Sequence, residues 1–302
     1  MAKRKKKINK MKIAFVLSCV AIPIIHFVIF YIYTNFSAIT MAFTNGQGDF
    51  SLDNFARFGR ELVREGSDLQ MALKNTMITF AILFISYPFK VLVSYFIYKK
   101  IPGAGFYRIV FFLPTIIFSV AVAMIFQRLV GVNGVIAEFI ANMAGQESVE
   151  LLADSRYANL TIFANMIWLG FPGDLIIWGG TFARIPGDVL ESASLDGVTW
   201  WQEFTKIIVP MVWPTVALQM VLIICNIFMS TGQVWLLTEG QYGTHTIQSW
   251  MYHILYQGSG GAYTSNIYNY LSAVGMIITV VAILLSTIVR KWSDKAFEEV
   301  EF

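Results

Sequence analysis

The sequence predicts an all-α integral membrane protein with six transmembrane helices and both termini on the cytoplasmic side. Hydrophobic residues make up 56% and charged residues only 14% of the 302 positions, with a mean hydropathy of +0.61. A soluble globule carries about 25% charged residues. Six runs approach the roughly 20 apolar residues that cross a hydrocarbon core of about 30 Å. Lys and Arg gather in alternate connections between those runs, which fixes their orientation by the positive-inside rule.

The first run, Met11 to Tyr33, follows "MAKRKKKINKMK". It is longer than a signal-peptide core and no small-residue cleavage pattern follows it, so it reads as an uncleaved anchor. The others are Thr76 to Tyr98, Ile109 to Val130, Leu160 to Phe182, Val212 to Leu236 and Tyr270 to Val289. Pro88, Pro114 and Pro172 fall inside three of them, which membrane helices tolerate because neighbours re-satisfy the freed backbone groups. The basic N-terminal tail, Lys99, Lys100 and Arg108, then Arg184 and Lys206, then Arg290, Lys291 and Lys295 all fall on one side. The expected organisation is a basic tail at 1–12, a first span at 13–33, an external loop at 34–74, a core at 75–290 with a cytoplasmic loop at 183–211, and a tail at 291–302. Residues 237–268 contain no Lys or Arg and are rich in Gly and aromatics, suiting an external surface that mixes a short helix with turns.

Most catalytic classes are excluded by what is missing. There is no G-x-x-x-x-G-K-[ST] phosphate loop and no G-x-S-x-G elbow. Cys19 and Cys225 lie in apolar runs and suggest neither a disulfide nor a metal cluster. His245 and His253 are not at the i, i+4 spacing of helical metal sites and read as solvated loop histidines. No cofactor, metal or nucleic-acid partner is expected of this chain; if it moves something uphill, the energy must come from elsewhere.

One polar island stands out, "RIPGDVLESASLDGVTWWQEFTKIIVP". Pro186 suits a first helical position, Asp188 and Glu191 place negative charge near the positive end of a short helix, and Gly197 can take the left-handed conformation that ends it. A second helical segment would then run to Pro210. Val189, Leu190, Ala193 and Leu195 give the first helix an apolar face able to sit in a groove. The loop carries two bases against four acids, Asp188, Glu191, Asp196 and Glu203. That charge disfavours anionic headgroups and favours a protein groove over a lipid-resting connector.

This island resembles the EAA loop of binding-protein-dependent ABC importer permeases. Glu191, Ala193, Asp196, Gly197, Ile207 and Pro210 fit the pattern, while Ser192 replaces an Ala and Val209 a Leu. "KNTM" at Lys74 to Met77, "YRIVFFLPT" at Tyr107 to Thr115, "WLGFP" at Trp168 to Pro172 and "LLTEG" at Leu236 to Gly240 resemble the maltose-type carbohydrate permeases, although "EGQYG" departs from that family's usual Gly-Gly-Pro. The resemblance implies a prokaryotic cell-membrane subunit that pairs with a second, homologous permease. It implies two ATP-hydrolysing partners, which would hold ATP and Mg, and an external solute-binding protein. It makes Glu191, Ser192, Ala193, Asp196 and Gly197 the ATPase-coupling residues. An importer for a non-sugar solute, or an ion-driven secondary transporter, is the alternative.

For the substrate path, an acid at mid-membrane costs about 2.5 to 3.5 kcal/mol, so Asp174 in "WLGFPGD" needs a partner or a wet cavity. Gly170, Pro172 and Gly173 beside it can kink the span. Asn226, Ser230 and Gln233 recur at i, i+4 and i+7 and would share one helical face. The resemblance places sugar between these two spans; polar contacts between helices are the plainer role for the same residues. Lys90 is expected to snorkel to the interface, with an ion pair to Asp174 as the other option.

Overall fold

The computed structural model describes residues 10–146, 149–228, 232–256 and 265–296. Among them, six helical stretches are long and apolar enough to cross a membrane: Phe15–Ala42, Asp68–Tyr98, Ser119–Ala144, Ala158–Phe182, Trp200–Asn226 and Asn266–Lys295. No β-strand occurs among the described residues beyond an isolated bridge between Thr44 and Phe50. The tails at 1–9 and 297–302, and Ser230, lie outside the described residues.

The chain divides into two compact units, Met1–Arg60 with Gly261–Ile277, and Glu61–Gly260 with Ile278–Phe302. In the first, α1 (Lys10–Phe27), a π-helical turn (Val28–Tyr33) and α2 (Thr34–Ala42) run without a break, so the first span reaches Ala42 rather than Tyr33. Part of the expected loop at 34–74 is therefore helix, as is α3 (Asp53–Val63). Asn54 fixes α3 by donating to the carbonyls of Ala42 at 3.1 Å and Thr44 at 2.9 Å. Asn269 donates to the carbonyls of Thr44 and Asn45, and the Arg57 guanidinium lies 4.0 Å over the Tyr270 ring.

In the second unit, α4 (Asp68–Tyr98) is capped by Ser67, whose hydroxyl accepts the Gln70 N–H at 3.2 Å. It continues through Pro88 for 31 residues and packs along α8 (Ala158–Phe182). Between α4 and α8, the expected third span, Ile109 to Val130, is broken. α5 (Ala104–Ile116) stops, Ile117 and Phe118 are extended, and α6 (Ser119–Val130) starts afresh. Pro114 cannot donate back to Val110, and the stiff run Thr115, Ile116, Ile117 follows it, so the helix yields there. α7 (Val135–Ala144) ends at Gly145, which is left-handed at φ 66°.

After α8 comes the polar island as α9 (Gly187–Leu195), with Pro186 as the N-cap rather than the first helical residue. A capped turn, α10 (Trp200–Gln202), a π-turn (Glu203–Ile208) and α11 (Val209–Ile227) then form one rod. The second segment of the island thus passes Pro210 instead of ending there. Pro210 lies inside this rod, and the widened turn ahead of it accommodates the lost N–H bond and relieves the ring's clash with the preceding turn. The fifth span also ends sooner than expected: Gln233 belongs to a separate helix, α12 (Gly232–Thr238). α13 (Ile247–Tyr256) and α14 (Ser265–Ala296) are the last elements among the described residues, and the Trp213 indole donates to the Ser293 carbonyl at 2.9 Å.

Lipid tails are as apolar as Leu, so close packing rather than transfer from water holds such helices together. Aromatic side chains supply much of it here. Trp178 and Phe182 are fully buried with ring centroids 5.4 Å apart, and Tyr95 meets Phe182 edge-on at 6.3 Å.

Candidate functional site

Two local geometries matter, a cavity among the spans and the exposed loop around α9. The cavity, of about 630 Å³, is lined by Tyr87 and Lys90 of α4, by Gly170, Gly173 and Asp174 of α8, by Gln219 and Asn226 of α11, and by Gln233 of α12. Lys90 does not snorkel. Its ammonium lies 3.0 Å from the Asp174 carboxylate, with the two side chains only 8% and 17% exposed. A long stem could reach the interface, but an Asp174 carboxylate left unpaired inside the bundle would cost about 3–5 kcal/mol, and the ammonium from the neighbouring helix removes that cost.

The segment "WLGFPGD" makes that pairing possible. A Cβ on Gly170 would run into the Lys90 ammonium, so the glycine clears the path across α8 and Asp174, one turn on, receives the charge. α8 stays helical throughout this segment. The pair has no net formal charge, and the remaining polar lining is neutral. Two groups in it, the Tyr87 hydroxyl and the Gln233 side-chain oxygen, are buried without a hydrogen-bond partner.

Asn226 and Gln233 do not share a helical face, because α11 ends between them, yet both line the cavity. Their expected companion Ser230 lies outside the described residues. Tyr87 and Gln219 are lining residues that the sequence reading missed. Gln219 is seven positions before Asn226, the same i, i+7 spacing that drew attention to the others.

The loop around α9 is closed by two local devices. Val198 N–H donates to the Ala193 carbonyl at 3.1 Å and Gly197 N–H to the Ser194 carbonyl at 3.2 Å, a Schellman ending with Gly197 at φ 68°. A Cβ on Gly197 would meet no atom within 4 Å, so glycine is needed for its backbone conformation and not for close approach. Thr199 and Gln202 then form a reciprocal capping box. Of the five expected coupling residues, Glu191, Ser192, Asp196 and Gly197 are exposed, whereas Ala193 is buried at 5%. The expected apolar face is thereby split. Leu190 and Ala193, three apart, turn toward the bundle, while Leu195, 84% exposed, joins the outward surface.

A third region, residues 236–256, is folded rather than loose. Asn75 donates to the carbonyls of Gly243 at 2.7 Å and His245 at 3.0 Å, and Asn159 to that of Gly243. The Ile247 N–H donates to the Thr76 hydroxyl, and Gln127 donates to the Leu236 carbonyl. His245 and His253 are not solvated independently; both are half-buried with rings 5.0 Å apart. Burial, with His253 adding to it, holds His245 below the ordinary histidine pKa, and Asp68 partly offsets this. Gly240, left-handed at φ 81°, leaves room for the His245 ring, which a Cβ would overlap. No three His, Cys, Asp or Glu groups converge as a metal site among the described residues.

Residues 93–299 match the family described as binding-protein-dependent transport system inner membrane component. The chain is 22% identical to the multiple sugar-binding transport system permease of Streptococcus mutans, over 91% of this chain and 93% of that one. It is 26% identical to the maltose/maltodextrin transport system permease of Vibrio vulnificus over 57% of this chain, and spans 35% of that longer protein. Its fold matches a chain of a bacterial alginate ABC transporter, solved with an alginate pentasaccharide-bound periplasmic protein. There the TM-score is 0.79 and the identity 22%, covering 98% of this chain and all of that one.

Proposed function

Because the chain belongs to the family of binding-protein-dependent transport system inner membrane components, we propose that it carries a saccharide through the cavity between α4, α8 and α11. It is a multi-pass permease of an ABC importer in the cell membrane. The cavity is the observation that carries the substrate reading. It offers an amide at Asn226, another at Gln219, and two buried polar atoms without partners, at Tyr87 and Gln233. Sugar hydroxyls both donate and accept, so they match such a lining. The internally neutralised Lys90 and Asp174 add no net charge that a neutral cargo would have to offset.

On this reading the α9 loop faces the cytoplasm. Glu191, Ser192, Leu195 and Asp196 dock on one of two ATPase subunits that hold ATP and Mg, and Ala193 keeps the helix seated on the bundle. A second, homologous permease completes the pathway, and an external solute-binding protein delivers cargo. The sugar names of the relatives support the cargo class, and the cavity lining supports the route.

The test is import by the assembled complex in proteoliposomes. Asn226→Ala and Gln219→Leu each lower saccharide uptake severalfold while the loaded binding protein still stimulates ATP hydrolysis. Unchanged transport KM and maximal rate in both variants would take the cavity out of the pathway.

A further inference from the structure

The end of α4 meets the start of the α10–α11 rod through one ion pair. Lys99, the C-cap of α4, holds both carboxylate oxygens of Glu203, at 2.7 and 3.0 Å. The Glu203 side chain is 10% exposed and Lys99 38%. Each charge also suits its own helix end, a cation where α4 leaves carbonyls free and an anion in the first turns of the rod. Aromatic contacts flank the pair. Phe96 meets Trp200 at 5.2 Å and Tyr95 meets Phe204 at 5.2 Å, and the Lys99 ammonium lies 5.9 Å from the Tyr95 ring.

The position of this clasp gives it a mechanical consequence. Trp200 follows the capped turn that closes the α9 loop, so a push on that loop reaches Glu203 through a short, hydrogen-bonded segment. From Lys99, the same unbroken helix carries Lys90 and Tyr87 into the cavity, about 14 Å and 18 Å further on at 1.5 Å per residue. Beyond them it carries Asn75 and Thr76, which hold the 243–247 segment. One helix thus touches the docking loop, the cavity and the segment at the opposite end.

We propose that the Lys99–Glu203 pair is the coupling clasp of this permease, passing the displacement of the docking loop into α4 and so to the cavity. This rests on the docking reading given above. Lys99 and Glu203 are positioning residues, acting on cargo only through α4. The alternative role for the same pair is static, holding the fold without carrying motion.

The experiment uses the complete complex in proteoliposomes and reads ATP hydrolysed per saccharide imported, together with co-purification of the ATPase subunits. Lys99→Glu and Glu203→Lys each raise that ratio about tenfold with the ATPases still bound, and the double swap restores it to within about twofold, the signature of a direct interaction. A native ratio in both single variants, or a double swap no better than either, overturns the proposal. If charge reversal prevents assembly, Lys99→Gln is read in its place by the same ratio, and loss of assembly there too assigns the pair the static role and overturns the clasp. Gly197→Val is the control: uncoupling by it with normal coupling in the Lys99 variants refutes the clasp alone, whereas normal import by Gly197→Val refutes the docking reading itself.

Discussion

The α9 loop and the 236–256 segment both interrupt an apolar bundle with polar residues. Thr244, Thr246 and Ser249 in the second are nevertheless buried, while Glu191, Ser192, Leu195 and Asp196 in the first face solvent. The 236–256 segment spends its polar groups on the chain itself, through Asn75, Thr76, Gln127 and Asn159. The α9 loop satisfies its backbone locally, by a Schellman ending and a capping box, and leaves its side chains available. A polar loop whose hydrogen bonds are all local is built to present a surface; one bonded to distant helices is built to close the bundle.

Removing a distant bond should harm stability most. Asn75→Ala removes one donor from each of two carbonyls, leaving Gly243 with Asn159 alone, and lowers the stability of the 236–256 segment by about 2 kcal/mol, seen as roughly 30-fold faster amide exchange over 243–249. The same change leaves exchange in the α9 loop untouched; equal acceleration in both would erase the distinction. Next comes Gly197→Ala, which forces a Cβ into a left-handed backbone at a local cost of about 1 kcal/mol, with Gly197→Asn milder. Its thermal melting shift stays small while import falls, since the altered shape lies on the presented surface.

A smaller effect should follow from His245. Burial favours its neutral form in the folded segment, so the unfolded segment binds the proton more readily and stability rises with pH through that range. The contribution is full above the ordinary histidine pKa of about 6.5 and fades as pH drops below it. Amide exchange over 243–249, corrected for intrinsic rate, therefore quickens on acidification, and His245→Gln removes that dependence. The smallest effect on stability is that of Leu195→Ser, within about 0.5 kcal/mol because the side chain is exposed. Its signature is weakened ATPase co-purification at unchanged melting temperature.

Helix identity was the legible part of the sequence, since long apolar runs and basic flanks are local signals. The helix ending at Gly197 was equally readable, because turn chemistry acts over a few residues; the "TWWQ" capping box is a signal of the same range that the sequence reading passed over. Span ends were less so. A proline followed by β-branched residues stopped α5, and α11 ended before Gln233, where an apolar count detects no break. Long-range partnerships were mostly hidden. The Lys90–Asp174 pair was foreseen only as the second option to snorkelling, because local sequence does not say which way a long stem turns, and nothing near Asn75 says that it holds carbonyls about 170 positions away. Ala193 looked like part of a binding face because composition cannot say which side of a short helix meets the bundle.

The widened turn at Glu203–Ile208 also sets the angular phase of the fifth span. Each residue of an α-helix advances the chain by about 100°, and a π-turn accommodates one residue more than the α-helical course would. If the turn relaxed to α-helix with all six residues kept, everything after it would rotate by about that angle, whereas deleting one residue at the same time would preserve the phase. In the first case Gln219 and Asn226 would swing off the cavity wall together, with no cavity residue mutated.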